Sequence, residues 1–168
     1  MPKAPSHVDQ HLNRFYKRVK GKLAAIEATA KHGKADNKLA LDALGKLKPL
    51  TEYINQFHHE YVCIQALRRL KKEHPDLGWN WFPSNTGGSD AADIEGRDRS
   101  GKLIVAAECS ASIEPKGTLR QRMNDTLAKL SKIKAAKRYY FTKNKEMEQA
   151  ANNKAELMKY RILAYKVG

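Results

Sequence analysis

Two carboxylates, Asp93 and Glu108, stand on either side of a Ser100-Gly101 pair. Ser-Gly between two apolar or alternating runs signals a two-residue hairpin turn. With Ser100-Gly101 as the turn, Arg99 pairs with Lys102, the ladder continues at constant residue sum, and Asp93 falls opposite Glu108. Directly opposed side chains share a face, with Cβ atoms about 5 Å apart. Carboxylates that close repel, so the arrangement predicts something positive between them, and a hard divalent cation with oxygen ligands suits it. The competing reading is a solvated surface pair screened by Arg97 and Arg99. Glu108, however, ends the apolar run 103–107, which reads as a strand buried on both faces, so it is placed unlike a surface acid.

The elements that must hold these acids follow from the rest of the chain. Its 168 residues suit one domain carrying an appended helical arm, with the arm at 1–57 and the main domain at 58–168. In the arm, Val8, Leu12, Phe15, Val19, Leu23 and Ile26 form a helical stripe beside Arg14, Lys17 and Arg18. A second helical pattern starts near Asp36, and Pro49 interrupts or restarts it. A third helix is expected from His59 to Glu73, with Ile64, Leu67 and Leu70 inward. Glu60 lies at the edge of that apolar face, either as a ligand or as a first-turn acid favoured by the helix dipole. His58 and His59 read as helix-start residues, and Cys63 and Cys109 as small buried hydrophobes without metal-ligand spacing.

Trp79 to Phe82 reads as a strand, followed by a polar loop at 84–89, the acidic hairpin, and a helix from Thr118 to Ile133 with a Thr118/Gln121 capping box. A strand at 137–142, a polar helix at 145–160 and a last strand at 161–167 complete the pattern. Short antiparallel strands followed by helical crossovers imply an α/β fold with a mixed central sheet and helices on both faces.

Lys and Arg number 32 against 18 Asp and Glu, a net charge of +14, which points to a polyanionic partner. The arm's basic residues are either phosphate contacts or a solvated face. Arg120 and Arg122 sit near a helix N-terminus, where the macrodipole disfavours cations and a bound phosphate would explain them. No apolar run is long enough for a membrane span, and the cysteine usage suits a reducing, cytoplasmic setting.

With Asp93 at the start of the second expected strand, Glu108 near the end of the third and Glu60 on the preceding helix, the chain resembles the PD-(D/E)xK nuclease superfamily over about half its length, from Glu60 to Phe141. The resemblance implies a restriction-endonuclease-like αβββαβ core and Mg²⁺-dependent DNA hydrolysis, with Mn²⁺ as a substitute. It implies that Asp93 and Glu108 hold the metal, joined by Glu60 or Asp90 through water and by the Cys109 carbonyl. The motif lysine should stand two residues after Glu108, where this chain has Ser110. Lys116 or Arg120 is then expected to reach back, with Lys116 or Ser110 orienting the attacking water. The rival expectation is a catalytically lapsed DNA-binding protein or subunit on the same scaffold. RNA stays open as a substrate, and a homodimer or a partner subunit is compatible with either reading.

Overall fold

The computed structural model describes residues 14, 16–17, 19–24, 27–28, 37–82, 91–112 and 114–168, with side chains omitted at 37–44, 46–47, 50 and 53. Arg18, Asp90 and the loop at 84–89 lie outside the described residues. The chain divides into two compact units, Met1–Phe57 and His58–Gly168. In the first, the described residues between 14 and 28 are helical, and Arg14 and Lys17 face solvent.

Helix α1 spans Asn37–Glu73 and contains Pro49. Pro49 neither interrupts nor restarts the helix, and no new helix begins at His59, contrary to the expectation from the residues. A proline withdraws one N–H from the ladder, and the turns on either side carry the helix past that gap. From His58 onward, Val62, Cys63, Ala66 and Leu70 are buried, a helical stripe that packs on the sheet.

The sheet has five strands in the order β1 (Gly78–Trp81), β2 (Ile94–Arg97), β3 (Leu103–Ser110), β4 (Lys137–Thr142), β5 (Leu163–Lys166). The first three are antiparallel neighbours, while β3, β4 and β5 run parallel. Helix α2 (Gly117–Lys132) connects β3 to β4, and α3 (Lys145–Leu157) connects β4 to β5. The two crossovers step the same way along the sheet, and both helices lie on one face. Met123, Leu127 and Leu130 of α2 and Met147, Ala151 and Ala155 of α3 pack there with Ala106 and Tyr140. The opposite face buries Val105, Ala107 and Cys109 against α1. The result is a mixed α/β unit with an open mixed sheet covered on both sides.

The β2–β3 hairpin departs from the expected turn. Asp98 N donates to Lys102 O at 3.1 Å and Gly101 N to Asp98 O at 3.0 Å, so the loop holds three residues and Arg99 lies in the turn. Asp98 Oδ1 causes this by collecting Ser100 N, Ser100 Oγ and Lys102 N at 2.9, 2.6 and 3.0 Å. Gly101 supplies the left-handed φ of +84° that the third loop position needs. The pairing is offset by one residue at this end, with Arg97 opposite Leu103. A bulge then makes Ile104 the extra residue, and Gly96 pairs with Val105 and Ile94 with Ala107. The two offsets cancel, and the ladder ends at Ile94 and Ala107, one residue short of Asp93 and Glu108.

Gly96 is required by packing: a Cβ there would stand 2.9 Å from Trp79 Cζ3. The expected Thr118/Gln121 capping box does not form. Helix α2 begins at Gly117 with Lys116 as N-cap and no side-chain cap, and Gln121 Nε2 donates instead to Asp125 Oδ1 at 2.8 Å. In α3, Asn144 Oδ1 caps the helix by accepting from Glu146 N and Met147 N at 2.7 and 3.1 Å. Among the described residues no helix is long and apolar enough to cross a membrane.

Candidate metal centre

Side chains alternate across β3, so Glu108 is presented to the α2 face and Cys109 to the α1 face. Asp93 lies one residue outside the β2 ladder. Its Oδ2 accepts from the Cys109 N–H at 2.8 Å, which holds the carboxylate near the plane of the sheet, at the open end of the strands. From there its charge also reaches Glu108.

On the α1 side, His59 Nε2 lies 3.1 Å from the same Asp93 Oδ2. Cys63, one helical turn after His59, places its sulfur 3.8 Å from Nδ1 and 3.9 Å from Nε2 of the ring. One nitrogen, one sulfur and one carboxylate oxygen thus lie within 4.8 Å of one another, a group that could hold a metal ion. Burial works against charge on His59, but its hydrogen bonds to Asp93 and Cys63 outweigh it and raise the ring to about 11. The Cys109 thiol's hydrogen bond, followed by the His59 contact, holds the Cys63 thiol down to about 7 against burial. Burial pushes Cys109 in the opposite direction, well above an ordinary thiol.

On the α2 side, Lys129 Nζ forms an ion pair with Glu108 Oε1 at 2.9 Å and donates to the Ala91 carbonyl at 2.9 Å. The ammonium's aligned hydrogen bond goes to Ala91, so charge is what holds it to Glu108. Glu108 is 7% exposed. Burial first, then the neighbouring Asp93 charge, pushes its carboxyl up to about 7 against the pull of Lys129.

The other expected site residues fall elsewhere. Glu60 is buried beside His59 in sequence but is outside the convergent donor group, which His59 and Cys63 supply. Ser110 Oγ donates to Ser112 Oγ at 3.0 Å and accepts from Ser112 N at 3.2 Å, the work of a strand-end turn. Lys116 is exposed and paired with Glu114 at 3.0 Å. Arg120 and Arg122 are exposed on the first turns of α2. The residues by themselves give His59 as a helix-start residue, Cys63 as a buried hydrophobe and Lys129 no role at the site. The i, i+4 spacing of His59 and Cys63 was the available signal for the first two. Lys129 had none, since a lysine in the last turn of a helix ordinarily answers the helix dipole.

No protein-family model, curated protein or solved structure matches the chain.

Proposed function

We propose that the chain is a metal-dependent nuclease that hydrolyses DNA phosphodiester bonds on a restriction-endonuclease-like core. The observation that carries this reading is the Lys129–Glu108 ion pair at 2.9 Å, with Asp93 directly preceding the Ile94–Ala107 pair and near enough for its charge to act on Glu108. Helix, three antiparallel strands, helix and parallel strand is also the element order that the resemblance implies.

The donor chemistry suits Mg²⁺, or Mn²⁺ in its place. Asp93 and Glu108 offer hard carboxylate oxygens, and the burial and the Asp93 charge that raise Glu108 are both offset by a divalent cation. Such an ion supplies Lewis acidity toward the scissile phosphate and lowers the pKa of a bound water. The chain's own residues do the rest. The Cys109 N–H fixes Asp93 through Oδ2, and Oδ1 carries neither of its two contacts. Lys129 has three N–H donors, of which one is given to the Ala91 carbonyl, while its charge pairs with Glu108. An N–H not given to Ala91 is left to orient the attacking water, the task of the lysine that Ser110 replaces. Lys116, turned to Glu114, is not needed for it. Beside Lys129, an open cleft of about 620 Å³ is lined by Lys132, Lys134 and Asp125. With the net charge of +14, it suits a phosphate backbone.

The test is incubation with plasmid and single-stranded DNA in Mg²⁺, Mn²⁺ and EDTA, beside Glu108→Gln. Cleavage that needs the metal and disappears in the variant is expected. Equal cleavage by the variant would refute the reading. A second reading, a DNA-binding subunit that no longer cuts, is favoured by Ser110 and by His59 closing on Asp93. It predicts tight, salt-sensitive binding without cleavage in any metal.

A further inference from the structure

We propose that His59, Cys63 and Asp93 form a site for a thiophilic divalent transition ion, Zn²⁺ foremost, with a ligand set distinct from the Asp93–Glu108 pair. Tetrahedral Zn²⁺ binds nitrogen and oxygen at about 2.0 Å and sulfur at about 2.3 Å, so its ligand atoms stand about 3.3 Å (N to O) and about 3.5 Å (N to S) apart. His59 Nε2 is 3.1 Å from Asp93 Oδ2 and 3.9 Å from Cys63 Sγ, within a few tenths of an ångström of those edges. Small side-chain adjustments close the difference.

The framework behind the donors is rigid. His59 and Cys63 are one turn apart on α1, whose Val62, Ala66 and Leu70 are fully buried against the sheet. Asp93 is fixed from the sheet by the Cys109 N–H. Sulfur with imidazole selects a borderline or soft ion, whereas Mg²⁺ prefers oxygen alone. Access is available as well, because the His59 and Asp93 side chains are 22% and 21% exposed, while Cys63 forms the closed floor at 1%. Asp93 belongs to both sets, so Zn²⁺ here withdraws a carboxylate from Glu108 and inhibits cleavage. That consequence rests on the nuclease reading, and the site itself does not.

The test uses the full chain, stripped with chelator and titrated with Co²⁺ and then Zn²⁺. A thiolate-to-cobalt charge-transfer band with tetrahedral visible bands is expected, displaced by one equivalent of Zn²⁺ and untouched by excess Mg²⁺. Cys63→Ser should abolish the charge-transfer band, and His59→Gln should weaken binding at least about tenfold. Glu108→Gln should leave the band intact. Because Cys63 is buried, His59→Gln, at a partly exposed position, decides the matter if Cys63→Ser does not fold. No charge-transfer band in the natural chain, or one that survives both variants, overturns the site. The spectra are read without DNA, so a failed cleavage assay leaves this result standing, and the converse also holds.

Discussion

Lys129 and Glu108, 21 residues apart in sequence (129 − 108), meet at 2.9 Å because α2 crosses the sheet face to which β3 presents Glu108. The cation that the sequence pattern lacks beside the acid is delivered by tertiary packing. Asp93 bonds His59 directly through Oδ2 and acts on Glu108 through its charge.

Removing the ammonium separates its two tasks. Lys129→Ala should lower cleavage at least about a hundredfold while DNA binding changes little, because orienting a nucleophile acts on the rate. It should also destabilise the fold by about 1–2 kcal/mol, since Glu108 loses its charge partner. Lys116→Ala should do neither. Cleavage kinetics and urea denaturation of the two variants side by side give the answer, and equal losses would remove Lys129 from its assigned role.

Phosphate contacts have a different signature. Arg120→Ala and Arg122→Ala should each weaken DNA binding uniformly across sequences and reduce the slope of log affinity against log salt by about 1. Fluorescence anisotropy at several salt concentrations measures it. An unchanged slope would place these exposed arginines outside the interface.

Tyr140, 1% exposed, should make the fold sensitive to alkali. Burial pushes its phenol from 10.0 to about 12. Between those values the unfolded chain has released the proton and the folded chain has not, so stability falls as pH rises. The contribution is fully present below pH 10 and lost by about pH 12, amounting to about 3 kcal/mol. Tyr140→Phe should flatten that part of the stability curve in denaturant titrations. An identical slope in the variant would refute the assignment.

Gly96→Ala should destabilise by about 1–3 kcal/mol, because the new methyl meets the Trp79 ring at 2.9 Å and β1 must shift. Thermal unfolding of the variant measures this. A neutral result would mean that Trp79 has room to move away.

Local chemistry made part of this molecule legible in the residues alone. Alternation and apolar runs placed β3, β4 and the buried face of α2, because burial patterns repeat with the period of each backbone. The pairing of β2 with β3 was also readable as far as Ile94 and Ala107, although the route to it differs: Asp98 widens the turn by one residue and the bulge at Ile104 restores the register. Those two events depend on a side chain folding back on its own loop and on the twist of the paired strands, and neither changes the apolar pattern. Helix α1 ran past Pro49, where a break was expected, because one missing donor is a local loss.

Which side chains gather around Asp93 was decided by the tertiary structure. His59 and Cys63 are 34 and 30 residues before it, and Lys129 is 36 after it, counting along the chain. Their meeting depends on which face each helix covers and on where an acid at the end of a strand can reach. The sequence by itself determined the mixed α/β pattern, the basic charge and the pairing of β2 with β3. Packing α1 and α2 on opposite faces of one sheet determined the rest, because convergence of distant side chains is a property of the fold, and local periodicity carries no record of it.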